Sequence, residues 1–172
     1  VAGLKEQIKL GGHAVGTDGM TPQDVYRQVT EQAHHLIGEQ YALLNDVILP
    51  ALNKEGIAFL RRSLWTESQR QWIHRHFHDE VMPVLTPIGL DPSHPFPRVL
   101  NKSLNFAVEL EGTDAFGRNS GAAIVQAPRA LPRVIRLPGE LSGLAHGFVF
   151  LSSILHEFVG ELFTGMNVLG CY

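Results

Sequence analysis

The sequence predicts an α+β fold, in which a partial antiparallel helical bundle over residues 1–55 precedes an α+β domain over residues 56–172. In this second domain we expect a mainly antiparallel sheet with helices packed on it. Apolar residues recur at helical spacing from Val25 to Ile48, which favours a long amphipathic helix. The run Ser103–Leu110 alternates strictly between apolar and polar residues, as half-buried strands do. Predicted strands with helices on one side are typical of α+β domains.

The composition is that of a globular protein, with 44% hydrophobic and 18% charged residues. The net charge of -3 gives no basic surplus of the kind that nucleic-acid binders carry, so we expect no nucleic-acid partner. No apolar run is long enough for a transmembrane segment. The one cysteine, Cys171, excludes an internal disulfide and a multi-cysteine zinc site. Because a signal-peptide pattern is missing as well, the sequence predicts a cytoplasmic protein.

The clearest helix start in the first part is Thr-Pro-Gln-Asp at residues 21–24, after a glycine-rich loop at residues 11–20. It offers a hydroxyl cap, a proline in the first turn and a carboxylate three residues after the cap. We expect this helix to run to about Leu49, where Pro50 ends or kinks it. Its apolar stripe comprises Val25, Val29, Leu36, Ile37, Tyr41, Leu44, Val47 and Ile48.

That stripe needs partner helices, because a single helix cannot bury its own apolar face. The short helical pattern at Val1–Leu10 is too small to cover it. We therefore expect the rest of a helical bundle upstream of Val1, and a chain that is cut at both ends.

The second part begins after a linker at residues 53–56, where the composition changes. A capping box of Thr66 and Gln69 starts a helix there, and Pro83 and Pro87 close it. The strands at residues 103–110 and 122–127 are expected to form a hairpin across a turn-rich connection. The other predicted elements are short strands at residues 57–60, 133–137 and 147–151, a helix capped by Ser152 or Ser153 and stopped at residues 164–165, and a strand begun at Asn167.

Two histidines on the predicted helix, His74 and His78, are candidate metal ligands. They are one helical turn apart and could chelate a divalent ion, with Asp79 or Glu80 nearby. Two ligands do not make a competent zinc site, so a solvated helix face is the favoured interpretation. The neighbouring pair at residues 34–35 lies within the first long helix, where we expect one ring to meet the bundle and the other to face water.

The proline-rich segment at residues 91–97 admits two interpretations. Asp91 and His94 could act as an acid/base pair beside Ser93. Three prolines in seven residues more often make a rigid connector into a strand, which is the favoured interpretation. A nucleophile elbow of the Gly-x-Ser-x-Gly kind does not accompany them.

Phosphate-binding motifs are missing from the sequence, including the Gly-x-x-x-x-Gly-Lys-Ser/Thr loop and the kinase catalytic loop. Basic residues are the remaining candidates, because arginine binds phosphate well. The candidates for a polyanion path are Arg98, Lys102, Arg129 and Arg133. The residues alone therefore indicate no active site.

Several motifs resemble the head domain of bacterial polyphosphate kinases. The most specific is the stretch from Asp91 through His94-Pro95-Phe96-Pro97 and Asn101 to Val108, preceded by Leu-Thr-Pro-Ile at residues 85–88. Val-Gln-Ala-Pro at residues 125–128, with Leu-Pro-Arg at residues 131–133, is similar to a hairpin of that family. Phe-Val-Phe-Leu at residues 148–151 and Leu-Phe-Thr-Gly-Met at residues 162–166 follow in the family's order. The first third looks like the end of its N-terminal helical domain.

The resemblance implies a full-length enzyme that reversibly transfers the terminal phosphate of ATP to inorganic polyphosphate through a phosphohistidine, with Mg²⁺. It places the reacting residues in two C-terminal domains similar to phospholipase D, beyond Tyr172. It therefore assigns no catalytic, nucleotide-binding or cofactor-binding residue to this chain, and it predicts that the chain alone is inactive. The head domain is implied to mediate self-association and to shape the path to the active site. The resemblance leaves association of the full-length enzyme with a membrane open.

Two other classes of function stay open at this point. One is a stand-alone module that binds anionic polyphosphate without catalysis. The other is a small metalloenzyme built on His74 and His78.

Overall fold

The computed structural model describes residues 1–11, 15, 19–91, 95–113 and 121–172. These residues form two compact units, Val1–Glu55 and Gly56–Tyr172. The first contains helices and the second contains both helices and strands, which confirms the predicted α+β class. The predicted loop at residues 11–20 and the predicted connection at residues 111–121 lie mostly outside the described residues.

The first unit consists of helices in the order α1 (Ala2–Lys9), α2 (Pro22–Ala42), a π-helical segment (Leu43–Ile48) and α3 (Leu49–Lys54). The predicted capping box is confirmed, because Thr21 Oγ1 accepts a hydrogen bond from the Asp24 N–H at 3.2 Å. The Asp24 carboxylate accepts one from the Thr21 N–H in return. A helix that begins at this motif is therefore fixed by local chemistry.

The helix does not end at about Leu49 as predicted, and in the predicted linker at residues 53–56 the first two residues are helical while the last two form a turn. Helical structure continues through Pro50 to Lys54, after the π-helical segment Leu43–Ile48. Proline interrupts a helix because it lacks an N–H and crowds the carbonyl one turn earlier. The carbonyl one turn before Pro50 belongs to the wider π-helical segment. Pro50 itself is in the first turn of α3, where its missing N–H costs little. The chain then turns at Gly56, whose φ is +75°.

The apolar stripe of the first unit is exposed in the described residues. Leu36, Tyr41 and Val47 keep more than half of their surface accessible, and α1, α2 and α3 contain no buried residue in this part of the chain. The long helix of the first unit is therefore amphipathic as predicted, with its apolar face turned to solvent.

The second unit contains the elements β1 (Ile57–Phe59), α4 (Glu67–His76), β2 (Thr86–Gly89), β3 (Leu104–Gly112), β4 (Ala122–Ala127), β5 (Val134–Arg136), α5 (Gly139–Ser142), β6 (His146–Phe150), α6 (Leu151–Phe158) and β7 (Met166–Cys171). A π-helical turn, Phe77–Val81, extends α4, and a 3-10 turn, Val159–Leu162, extends α6. The short helix α5 was not predicted from the sequence.

The larger sheet in the described part of this unit has the strand order β2-β4-β3-β7 and is antiparallel. The predicted pairing of β3 with β4 is confirmed, with Phe106 opposite Val125. Strand β2 was missed, because Pro87 was interpreted as a helix terminator. Its proline is tolerated there because β2 lies at the sheet edge and pairs with β4 alone.

The smaller described sheet has the order β1-β6-β5. Strand β5 pairs with β6 antiparallel, whereas β1 pairs with β6 in parallel, with Phe59 opposite Phe148. The Phe59 ring stacks on the Phe150 ring with centroids 4.8 Å apart. The sheet content is therefore mainly antiparallel, as predicted, with one parallel pair.

The core of the second unit is one cluster of buried side chains from the helices and from both described sheets. Ile73, Phe77, Leu151 and Leu155 are fully buried in it, together with Val125 of β4 and Val149 of β6. The predicted capping box of α4 is confirmed, since Gln69 N donates to Thr66 Oγ1 and Thr66 N donates to Gln69 Oε1. The predicted serine cap of α6 was wrong. Helix α6 begins at Leu151 directly after β6, without a side-chain cap.

Within the described residues, the helices are all too short or too polar to span a membrane.

Candidate functional site

The most concentrated group of chemically versatile side chains lies where α4 and α6 pack side by side. His74 comes from α4, His78 from the π-helical turn that follows it, and Glu161 from the 3-10 turn after α6. Because His74 and His78 are four residues apart, their rings lie on one face, with centroids 4.6 Å apart. The structure therefore brings the two sequence-predicted candidates together.

Glu161 bridges the two histidines. Its Oε1 lies 2.9 Å from Nε2 of His74, and its Oε2 lies 2.6 Å from Nε2 of His78. The side chains are 35–43% exposed, so water reaches the group from one side. Each carboxylate oxygen thus has its own imidazole partner, which gives a compact cluster of three potential ligands.

The rings rest on buried aromatic side chains. The His74 ring lies 5.0 Å from the Phe158 ring, and the His78 ring meets the Phe77 ring edge-on at 5.7 Å. Phe77 and Phe158 contact each other in the core. Because both supports are buried, the rings have fewer orientations available than free surface histidines do.

The carboxylates named with the histidines from sequence lie elsewhere. Glu80 faces Nδ1 of His76 at 3.3 Å, and the His76 ring stacks on Trp72. Asp79 is exposed and does not belong to the cluster of ligand atoms found among the described residues. The expected third ligand is therefore Glu161, not Asp79 or Glu80.

Glu161 was missed because it is 83 residues from His78 along the chain. Its sequence neighbours carry no metal-binding motif. The one available signal is its place near the end of the last predicted helix, and this does not say which element that helix packs against.

An ion pair lies one turn from the cluster on the same two helices. Glu157 of α6 pairs with Arg70 of α4, and its Oε2 lies 3.7 Å from Nε of Arg62. Glu157 is four residues before Glu161, and Arg70 is four residues before His74. Arg70, His74 and His78 of α4 and its extension therefore face the carboxylates of Glu157 and Glu161 from α6 and its extension.

Two titratable groups outside the cluster, His156 and Cys171, have pKa values shifted from their ordinary values. Partial burial and the charge of Arg62 lower the pKa of His156, whose ring meets Phe106 edge-on at 5.3 Å. Burial raises the pKa of the Cys171 thiol, and Arg62 opposes this increase. Both shifts arise mainly because the charged form is poorly hydrated at these positions.

The four basic residues that are candidates for a polyanion path differ in how exposed their side chains are. Arg98, Lys102 and Arg129 are exposed, whereas Arg133 is half-buried. Nη2 of Arg129 donates to the Asn101 carbonyl at 2.8 Å, which brings Arg129 next to the turn that contains Lys102. Lys102 has a φ of 56°, a left-handed conformation that is uncommon for a residue with a side chain. This turn and Arg129 thus form one basic corner.

A groove of 310 Å³ adjoins this corner, with Arg129, Asn105, Gln126 and Thr86 among its lining residues. Asn105 Oδ1 and Arg133 Nη1 are buried and have no hydrogen-bond partner in the described part of the chain. Arg133 uses its other terminal nitrogen to donate to the Ala127 carbonyl at 3.4 Å. The Arg133 side chain is therefore partly enclosed within the domain, in contrast to the exposed side chain of Arg129.

The acid/base pair that the sequence suggests lies partly outside the described residues. His94 and Ser93 lie outside the described residues, so the structure does not address that interpretation. In the first unit, His34 and His35 are both exposed, which contradicts the expectation that one ring would be covered. His35 pairs weakly with Glu39, its Nε2 lying 3.6 Å from Oε1.

Two family models match the chain in succession. One is described as the N-terminal domain of polyphosphate kinase and matches residues 1–60. The other is described as the polyphosphate kinase middle domain and matches residues 68–172.

Several relatives match along the whole chain. The polyphosphate kinase of Neisseria meningitidis serogroup C is 61% identical over 172 residues, which is 100% of this chain and 25% of that protein. The polyphosphate kinase of Pseudomonas putida is 54% identical over 172 residues, again 100% of this chain and 24% of that protein. This chain thus spans about a quarter of the length of the curated relatives it matches.

Among solved structures, the polyphosphate kinase of Porphyromonas gingivalis matches with a TM-score of 0.67 and 26% identity. That match covers 86% of this chain and 24% of the other.

Proposed function

This chain belongs to the polyphosphate kinase family, and on that premise we propose that it supplies the scaffold and association surface of a polyphosphate kinase. The enzyme would reversibly transfer the terminal phosphate of ATP to inorganic polyphosphate through a phosphohistidine. The single observation that carries the proposal is the match of N-terminal and middle-domain models, in that order, to almost the whole chain.

The described residues support an architectural role for this segment. The buried side chains of the second unit form one apolar core between helices and sheet, and its polar interactions mostly fasten helix ends, turns and packed helices. ATP and Mg²⁺ belong to the proposed activity of the full-length enzyme. Mg²⁺ prefers oxygen ligands, and the cluster of His74, His78 and Glu161 is rich in nitrogen, so it does not fit that ion.

Self-association through the head domain, residues 56–172, is part of the proposal. Strand β7 pairs with β3 on one side and is an edge of the larger described sheet. Its Leu169 is 58% exposed, and Tyr172 just after it is 75% exposed. An apolar sheet edge is a ready surface for pairing with a second copy. Light scattering should detect a dimer that Leu169→Lys weakens, while Leu64→Lys, at a residue away from the sheets, leaves it intact.

A chain exchange tests the proposed enzymatic role. The corresponding segment of the Neisseria meningitidis polyphosphate kinase would be replaced by these 172 residues. We expect the chimera to keep transfer of phosphate from ATP to polyphosphate, because a matching scaffold preserves the active-site geometry. The isolated chain should show no turnover in the same assay. An inactive but well-folded chimera, or turnover by the isolated chain, would contradict the proposal.

The alternative is a binding module that holds polyphosphate without catalysis. The observation that favours it is the basic corner of Arg129 and Lys102 beside a groove. If the chain acts in this way, polyphosphate should raise its melting temperature, and the increase should shrink with added salt.

A further inference from the structure

We propose that His74, His78 and Glu161 bind one divalent transition-metal ion, with Zn²⁺ as the best match. The inference concerns this cluster only and does not depend on phosphate transfer. His74 and His78 project from consecutive turns of the α4 region, and Glu161 reaches them from the turn after α6. The ion would therefore join two helices that are far apart in sequence.

The donor atoms already converge. One potential ligand atom from each of His74, His78 and Glu161 lies within 4.8 Å of the other two. Zinc bonds of about 2.0–2.2 Å to nitrogen and oxygen place neighbouring tetrahedral ligands about 3.3 Å apart. The present separations of 2.9 Å and 2.6 Å between the carboxylate and the two rings are shorter than this. Small side-chain rotations would thus open the cluster enough to admit the ion.

The chemistry of the donors selects the class of metal. Two imidazoles and one carboxylate form a donor set that zinc sites use with one position left open. Copper and nickel also favour imidazole, whereas magnesium and calcium favour oxygen ligands. The open position would face solvent, because the three side chains are 35–43% exposed.

The support of the cluster argues for a site of useful affinity. Phe158 is 8% exposed and Phe77 is fully buried. The Phe158 ring packs against the imidazole of His74, and the Phe77 ring packs against that of His78. The pair of Glu157 with Arg70 links the same two helices one turn away, and Arg62 joins Glu157 from the 3-10 turn before α4. Little conformational freedom would therefore be lost on binding compared with three free surface side chains.

Without a metal, the cluster is satisfied by hydrogen bonds, in which imidazole N–H groups donate to Glu161. The hydrogen-bonded and metal-bound forms use the same nitrogen atoms, so binding must displace these protons. A metal titration decides between a mere hydrogen-bonded triad and a metal site.

The test uses the untagged chain, stripped of metal with a chelator, in calorimetric titrations with Zn²⁺. We expect one Zn²⁺ per chain and a higher melting temperature with Zn²⁺. His74→Gln, His78→Gln and Glu161→Gln should each weaken binding by about tenfold or more, because loss of even an outer-shell partner costs about 10–100-fold in metal affinity. Co²⁺ in place of Zn²⁺ should give the intense visible absorption of a tetrahedral site.

The matched control is His35→Gln, which removes an exposed histidine with a glutamate four residues on, but with no third ligand beside it in the described residues. It should leave the affinity unchanged. Melting temperatures measured without metal verify that each variant folds. The proposal is overturned if the parent chain binds no Zn²⁺ stoichiometrically, if Glu161→Gln and His78→Gln bind as tightly as the parent, or if His35→Gln weakens binding equally.

Discussion

The side-chain amide of Gln69 donates a hydrogen bond of 2.8 Å to the carbonyl oxygen of Leu141. The same side chain accepts a hydrogen bond from the N–H of Thr66 at the start of α4. Gln69 is only 7% exposed, so water cannot easily replace either bond. One buried side chain thus caps a helix and ties it to the segment that contains α5.

Gln69→Glu should destabilise the second unit by about 1–3 kcal/mol, the cost of leaving a buried polar group unsatisfied. The carboxylate can still accept from Thr66, but it has no N–H to offer Leu141. Gln71→Glu is the matched control, because Gln71 is exposed and contacts Glu67 one turn away. That change should cost no more than about 0.5 kcal/mol. Urea unfolding measures both, and equal losses would show that the bond to Leu141 contributes nothing.

Gly147→Ala should cost about 1–3 kcal/mol, because the added methyl would overlap Cβ of Ser142. Ser142 cannot move away freely, since its Oγ lies 2.7 Å from the Leu144 carbonyl oxygen and 3.0 Å from that of Gly139, two acceptors that share its one hydroxyl hydrogen. Gly139→Ala is the control, as nothing lies within 4 Å of the position of its new methyl. Combining Gly147→Ala with Ser142→Gly should recover part of the loss. A double variant that simply adds the two costs would argue against the overlap.

His156 should make the second unit less stable in mild acid. Its folded pKa is lowered, so the unfolded chain binds a proton more readily than the folded chain. The contribution of His156 to the free energy of unfolding is therefore complete above pH 6.5, the ordinary pKa of a histidine. It falls as the pH drops from there towards the folded pKa.

Replacing this histidine isolates the effect. When the pH is lowered from about 7.5 to about 5.5, the free energy of unfolding should fall less for His156→Gln than for the parent. Urea unfolding at both pH values measures the two changes. His34→Gln, at an exposed position of the first unit, should follow the parent. Identical pH profiles for His156→Gln and the parent would refute the assignment.

Cys171 should react slowly with iodoacetamide in the folded protein at pH values below its thiol pKa. Alkylation needs the thiolate, and burial raises the pKa of this thiol, so the reactive fraction falls. Arg62→Gln should slow the reaction further, because the charge of Arg62 lowers the same pKa. Arg75→Gln, an exposed change on α4, serves as the control. Mass spectrometry follows the reaction, and an equal rate in the folded and urea-unfolded chains would contradict this picture.

Arg129 and Lys102 should contribute to polyphosphate binding if the basic corner is used. Arg129→Ala and Lys102→Ala are expected to weaken binding and to reduce its salt dependence, because fewer counterions are released. Arg75→Ala removes an equal charge from a different surface and should have a smaller effect. Fluorescence anisotropy with labelled polyphosphate measures all three. Equal losses for every variant would indicate attraction by net charge alone.

The sequence predicts an element best where local chemistry decides it. The alternation of Ser103–Leu110 led to β3, and the capping boxes at Thr21 and Thr66 gave both helix starts, because these signals act within a few residues. Pro87 and Pro50 were misleading for a common reason. A proline ends an element only if its surroundings need the missing N–H, and an edge strand or a first helical turn does not.

Two of the three residues of the candidate site could be predicted from the sequence. His74 and His78 were found because four-residue spacing places them on one face of a single helix. Glu161 depends on how α6 packs against α4, which in turn depends on the burial of Phe158 and Phe77. The same limit applies to the pairing of β1 with β6. Contacts between distant segments follow from the summed packing of the core, which no short motif encodes.

The parallel pairing of Ile57 with His146 also sets the order in which the chain can fold. Strand β1 is the first strand of the second unit, yet its partner β6 is made only after β2, β3, β4 and β5. Strand β7 likewise returns to β3 at the end of the described chain, with Cys171 opposite Val108. Such distant pairings make folding slow, because the entropy cost of closing a long loop comes before the strand contacts that offset it. Until β6 has been made, β1 lacks this partner, and an unpaired strand edge of this kind favours aggregation.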